Sequence, residues 1–217
     1  MKKSSKRILG LLVGSAVCAL VGVILFERRL EHSQDKRILE AARLYDVDPA
    51  LVKAVMWRES RFRPAARGRA GEVGLMQLTD AAAQEWAESA GVYPVSETQL
   101  LDPRTNTLAG AWYLSKLIRR YQRADDPLPY ALADYNAGRA NVSKWAEGQA
   151  ATNSASFIQR ITYPGTRSYV LSVLEKRKRY ARDFNTFSDQ RTTKSGSRAQ
   201  LLTTHSNAAK ESLNPAR

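Results

Sequence analysis

Glu59 is the first residue of this chain whose type and position together suggest chemistry. It lies in the run Asp48–Phe62, where Asp48 reads as an N-cap and Pro49 as the first helical residue. At about 100° per residue, Leu51, Phe62, Val55, Glu59, Val52 and Met56 fall on one arc of that helix. The spacing therefore predicts a carboxylate inside an apolar stripe. A carboxylate so placed is either paired or has its pKa raised by desolvation. A glutamate that keeps its proton near neutral pH is what a general acid requires. The purely structural alternative is an ion pair at the helix edge with Arg58 or Arg61.

Two further segments carry suitable groups. Gly71-Glu72-Val73-Gly74-Leu75-Met76-Gln77-Leu78-Thr79 combines two glycines with an amide side chain. Glycine permits close approach of backbone to a ligand, and Gln77 has both donors and acceptors for a hydroxyl or amide. A plain helix–helix turn is the other reading. In Ala133-Asp134-Tyr135-Asn136-Ala137-Gly138 an aromatic ring and an amide adjoin at a helix end. Tyr135 could equally be a core residue, and Asn136 part of a C-terminal cap. His32 and His205 are the only histidines and lie far apart, so no metal site is expected.

The elements that must position these residues are helical. Asp35–Tyr45 carries Ile38, Leu39, Ala42, Leu44 and Tyr45, and Pro49–Phe62 follows. Thr79 or Asp80 can cap residues 81–90, with Trp86 as the main anchor. Asp102-Pro103 opens a long helix through Tyr121, with Leu108, Trp112, Leu117, Ile118 and Tyr121 as candidate core residues. Leu128–Ala137 and 141–145 are separated at Gly138, and 166–184 is the last helix. No sustained alternation appears, so strands are at most minor. The expected fold class is mainly α, with at most a small β element, preceded by one transmembrane helix.

Residues 8–26, from Ile8 to Phe26, form 19 consecutive uncharged residues, near the roughly 20 that span a bilayer. Lys2, Lys3, Lys6 and Arg7 precede them. A cleaved signal peptide competes with this reading, but the run is long for one and lacks a small-x-small cleavage site. Val17 also spoils a lipoprotein box. The reading is thus a basic flank over 1–7 inside, a single-pass anchor over 8–26, a folded domain over 35–184 outside, and a polar, flexible tail over 185–217. Arg28, Arg29, Lys36 and Arg37 beyond the span weaken the charge asymmetry. The net charge of +13 suits an anionic partner. An exterior location excludes nucleic acid and leaves the membrane or cell wall. Cys18 lies in the span, so the exterior domain has no cysteine.

Taken together, Glu59-Ser60-x-Phe62-x-Pro64-x-Ala66, Gly74-Leu75-Met76-Gln77-Leu78, Tyr135-Asn136-Ala137-Gly138 and Tyr163-Pro164-x-Thr166-Arg167-x-Tyr169-Val170 resemble the soluble lytic transglycosylase family of lysozyme-like enzymes. The resemblance covers roughly Asp35 to Phe184. It implies an α+β lysozyme-like domain that cleaves the MurNAc–GlcNAc β-1,4 bond of peptidoglycan without a cofactor. It implies Glu59 as the single acid/base, closing a 1,6-anhydro ring instead of adding water. It also implies that Met76 and Gln77 line the cleft, and that Tyr135 and Asn136 orient the acid and the sugar. With the anchor read from 8–26, the expected location is the bacterial inner membrane, with the catalytic domain on the periplasmic or outer side, and the resemblance implies glycan strands as partner.

The chain departs from the family pattern at three positions. Gly68 stands where serine is common, Glu72 where alanine is, and Gly165 where glutamate is. Glu72 either replaces some of the lost contacts or is simply solvated. Two other functions are compatible with the residues. One is a goose-type lysozyme-like hydrolase that admits water, with Asp102, Asp125, Asp126 or Asp134 as a second carboxylate. The other is a peptidoglycan-binding module without activity.

Overall fold

The computed structural model describes residues 2–184, with side chains from Leu12 onward. The polar tail over 185–217 and the side chains of the basic flank lie outside the described residues. The helices are α1 (Lys2–His32), α2 (Asp35–Tyr45), α3 (Pro49–Ser60), α4 (Asp80–Ala90), α5 (Glu97–Leu100), α6 (Pro103–Arg120), α7 (Leu128–Ala137), α8 (Arg139–Trp145), α9 (Ser154–Arg160) and α10 (164–184), with a 3₁₀ turn at Gly148–Ala151. Among the described residues, β structure is confined to isolated antiparallel bridges, Arg67 with Val73 and Val73 with Leu78.

Local chemistry sets the helix starts. The Asp48 carboxylate accepts from the Ala50 N–H at 2.8 Å, and Pro49 supplies a φ suited to the first turn. Asp102 accepts from Thr105 N–H at 2.8 Å in the same way for α6. Thr79 caps α4, so Asp80 is the first helical residue there. α3 stops at Ser60, not Phe62, because Arg61 and Phe62 both turn left-handed, with φ of 53° and 62°. Phe62 nevertheless folds back into the core. α5, α9 and the 3₁₀ turn were not expected from periodicity, and each is too short to show a repeating apolar face.

α6 is the hub of the domain: α2, α3, α4, α5 and α7 all pack against it. α3 is buried almost all round, since Leu51, Val52, Lys53, Ala54, Val55 and Met56 are each inaccessible to solvent. This corrects the expected single stripe, because neighbours cover every side of the first two turns of α3. Lys53 is the cost of that placement. Its ammonium is ion-paired with Asp35 at 2.6 Å and lies 5.0 Å from the centre of the Tyr180 ring. Tyr180 also donates to Glu31 at 2.5 Å, so the end of α1 is tied to α10.

α1 holds the whole uncharged run in one continuous helix. Its side chains Leu12, Val13, Val17, Leu20, Val21, Val23, Ile24, Leu25 and Phe26 are all exposed. Among the described residues no helix is long and apolar enough to cross a membrane. The side chains of 8–11, where the uncharged run begins, lie outside that description.

Candidate active site

A cleft of about 440 Å³ opens beside the end of α3 and is lined by Glu59, Glu72, Gln77, Leu78, Thr79, Ala82, Tyr113, Asp134, Tyr135, Asn136 and Gly138. Five elements meet there: α3, the loop between α3 and α4, the start of α4, α6 and the α7–α8 junction. Glu59, Gln77, Tyr135 and Asn136 are thus brought together from positions spread over the chain, as the sequence suggests.

Glu59 carries no ion pair among the described residues. Its Oε1 accepts a hydrogen bond from the Tyr169 hydroxyl of α10 at 2.6 Å. Burial pushes the Glu59 carboxyl up to about 7, Tyr169 and the Arg58 guanidinium oppose the rise, and the Glu72 carboxylate adds to it. The expected structural alternative, a pair with Arg58 or Arg61, is not formed. Arg58 lies 5.4 Å from the Tyr169 ring centre, and Arg61 stacks on Trp57 at 3.8 Å. Burial, and the charge of Glu59 beside them, hold the Tyr135 and Tyr169 phenols far above their usual range, so both remain donors.

The loop that carries Gln77 is fixed from three sides. Asn106 of α6 is fully buried; its Oδ1 accepts from Met76 N–H at 2.8 Å, and its Nδ2 donates to the carbonyls of Val73 and Leu100 at 3.0 and 2.9 Å. The Ser60 hydroxyl donates to the Leu75 carbonyl at 2.6 Å, and the Tyr135 hydroxyl to that of Met76 at 2.7 Å. Gly74, at φ 82°, lies so close to Asn106 that any Cβ would collide with its amide. Here the glycine serves internal packing, not the close approach of a ligand.

Two expectations change in detail. Met76 does not line the cleft: its side chain is fully buried, and a Cβ on Gly110 would overlap its sulfur. Only its backbone takes part, through Asn106 and Tyr135. Gln77 lines the cleft, but its amide N–H groups are committed to the carbonyls of Ala66 and Gly74 at 3.1 and 2.9 Å. That leaves Oε1, so Gln77 faces the cleft as an acceptor. Asn136 is exposed to the cleft, and its Oδ1 accepts from Thr166 at 2.8 Å.

The sequence departures at Gly68 and Glu72 prove to be one arrangement. A Cβ on Gly68 would overlap the Glu72 carboxylate, which folds over the glycine and accepts from Ala70 N–H at 3.1 Å. Glu72 is therefore a cleft residue and not a solvated bystander. Nothing lies within 4 Å of a Cβ on Gly165, so that departure leaves open space. The four aspartates considered as a second carboxylate have other duties. Asp102 caps α6, Asp125 accepts from Ser154 N–H, and Asp126 accepts from Leu128 N–H. Asp134 reaches the cleft wall but is held by Arg120 and Tyr121 at 2.5 and 2.7 Å. No group of residues able to hold a metal ion occurs among the described residues.

Tyr169, Asn106 and Thr166 complete the site and were not singled out as functional from sequence. Tyr169 sits in the fourth motif, the one signal that pointed to it. Asn106 gave none, since an asparagine in a first helical turn usually serves the helix end.

Several known proteins are similar to this chain. The chain is 37% identical over 108 residues to a membrane-bound lytic murein transglycosylase F of Desulfosudis oleivorans, covering 48% of this chain and 22% of that protein. It is 30% identical over 131 residues to the soluble lytic murein transglycosylase of Escherichia coli, covering 59% and 20%. An inactive mutant of the lytic transglycosylase Slt from Pseudomonas aeruginosa superposes with a TM-score of 0.66 at 28% identity, covering 72% of this chain and 25% of that one. The 70 kDa soluble lytic transglycosylase of Escherichia coli gives 0.61 at 26% identity, covering 69% and 24%. The chain thus spans about a quarter or less of the length of these relatives. Residues 36–158 match the Transglycosylase SLT domain, and the chain belongs to that family.

Proposed function

We propose that this chain is a membrane-tethered lytic transglycosylase that cuts the MurNAc–GlcNAc bond of peptidoglycan with Glu59 as its single acid and base. The observation that carries this reading is the Glu59 carboxyl itself, half-buried in the cleft wall, without an ion-pair partner and pushed up to about 7 by desolvation. Protonated Glu59 gives its proton to the glycosidic oxygen as the bond to the anomeric carbon breaks. The resulting carboxylate then takes a proton from the C6 hydroxyl of the same MurNAc, whose oxygen closes on the anomeric carbon. The acid is restored and no water is consumed. Tyr169 steadies Glu59 while it is charged, and Gln77 and Asn136 offer acceptors and donors to the sugar.

A hydrolytic outcome has one observation in its favour, the second carboxylate of Glu72 in the same cleft. Pairs of carboxylates are what water-using glycosidases employ. Digestion of purified sacculi followed by product analysis separates the readings. Anhydro ends are expected; reducing ends would make the enzyme a hydrolase, and no products would make it a binding module.

The tether reading rests on the uncharged run 8–26, its continuity in one helix and the exposure of its apolar side chains from Leu12 to Phe26. The basic flank then sits inside and the domain outside, in the inner membrane of a bacterium. Retention of the chain in alkali-washed membranes, with the domain open to protease in spheroplasts, is the expected result. A mature protein beginning beyond Phe26 would rule out the tether.

A further inference from the structure

The cations at the root of α1 play no part in the cleft. A pocket of about 690 Å³ lies between α1, the end of α3 and α10. Arg28, Arg61, Arg63, Lys176 and Arg179 line it, facing only two carboxylates, Glu27 and Glu31. Glu31 is already held by the Tyr180 hydroxyl at 2.5 Å. Among the described residues none of these five cations is within ion-pairing distance of a carboxylate. Two of them share one indole: Arg61 lies 3.8 Å and Lys176 4.5 Å from the Trp57 ring centre. Burial pulls the Lys176 ammonium down, and Arg179 and Arg61 add to the fall while Glu31 and Glu175 oppose it. Like charges gathered in a recess repel one another, and a bound anion relieves that repulsion.

The same recess has an apolar wall. Val23, Ile24 and Phe26 line it and remain 55%, 45% and 65% exposed. They are the outer end of the uncharged run. Cations, apolar surface and the Trp57 ring therefore line one recess, the combination found at a membrane–water boundary.

We propose that this pocket seats the headgroup phosphate of an anionic phospholipid, docking the catalytic domain on the bilayer surface. This rests on the tether reading. A lipid fits better than free phosphate, because Val23, Ile24 and Phe26 offer contact that only the glycerol and acyl portion can use. α3 carries both Trp57 and Glu59, so a headgroup held at one side of the helix end fixes how the cleft on the other side faces the wall.

The test uses the full chain reconstituted into phosphatidylcholine bilayers with rising phosphatidylglycerol. Trp57 emission is isolated by difference against Trp57→Phe. A saturable change with phosphatidylglycerol is expected. Lys176→Gln and Arg179→Gln should each move its midpoint to a roughly fivefold higher lipid fraction. Arg29→Gln, on α1 but not in the pocket, should leave it in place. Equal responses from pocket and Arg29 variants would mean diffuse surface attraction and overturn the site. So would reproduction of the change by inorganic phosphate or by soluble muropeptides. A chain that enters neutral bilayers but ignores phosphatidylglycerol removes the pocket and keeps the tether. One that stays out of neutral bilayers, yet shows the same Trp57 change on anionic vesicles, removes the tether and keeps the pocket.

Discussion

α3 carries Lys53 on its fully buried stretch and Glu59 on its half-buried last turn, and the two are treated in opposite ways. Lys53 is completely inaccessible, but its charge is met by Asp35 at 2.6 Å and by the faces of Tyr180 and Phe184 at 5.0 and 5.4 Å. Glu59, less than two turns further along, has only the Tyr169 hydroxyl for a close partner. Lys53 is therefore tied by an ion pair and holds the α1–α2 junction against the domain. Glu59 is left free to be neutral, and burial drives its pKa upward. Burial alone does not separate a functional ionisable group from a structural one; the absence of an ion pair does.

The largest effect expected is on catalysis. Glu59→Gln keeps the shape and the bond from Tyr169 but cannot deliver a proton. Turnover on purified sacculi should fall by about 10²–10⁴-fold, the usual contribution of a general acid. Lys53→Met should act at the other end of the comparison. It removes a charge whose partner is partly buried, and chemical denaturation should show a loss of about 3 kcal/mol. A neutral result there would break the contrast, since Lys53 would then be as dispensable to the fold as Glu59 is expected to be.

The next effect has the opposite sign. The folded pKa of Glu59 is raised, so the folded state holds a proton that the unfolded chain releases. The contribution of Glu59 to stability is therefore neutral below the ordinary value of 4.5, becomes increasingly unfavourable as pH rises to about 7, and is constant above that. Glu59→Gln should stabilise the protein by about 1–3 kcal/mol at pH 8. The gain should vanish below the unfolded value, as thermal melts across pH would report. The smallest effect belongs to Tyr169→Phe. Its hydroxyl favours the ionised carboxyl, so its loss should move the alkaline limb of the activity profile to higher pH. A limb that stays in place would show that the Tyr169 bond has no part in setting the acid.

Much of the site can be read in the sequence because its residues lie in contiguous motifs. Glu59, Gln77, Tyr135 and Asn136 were each adjacent to residues that fold locally in the way their types suggest. What could not be read comes from contacts across the chain. Asn106 acts on a loop some thirty residues earlier, and Tyr169 acts on Glu59 from 110 residues away. The committed amide of Gln77 and the buried side chain of Met76 depend on how the 66–78 loop closes on itself and on Gly110, which periodicity does not encode. The arc that first drew attention to Glu59 is only one side of a helix whose first two turns are buried all round. Glu59 stands out because it lacks the partner that Lys53 has, and that distinction is three-dimensional.

The most direct test is a ¹³C-NMR titration of the side-chain carboxyl of Glu59, assigned by the resonance that disappears in Glu59→Gln. A midpoint near 7 is expected, with the resonance of a protonated carboxyl persisting through pH 6. A midpoint at or below the ordinary value of 4.5 would contradict the claim that burial without a counter-charge makes Glu59 the acid.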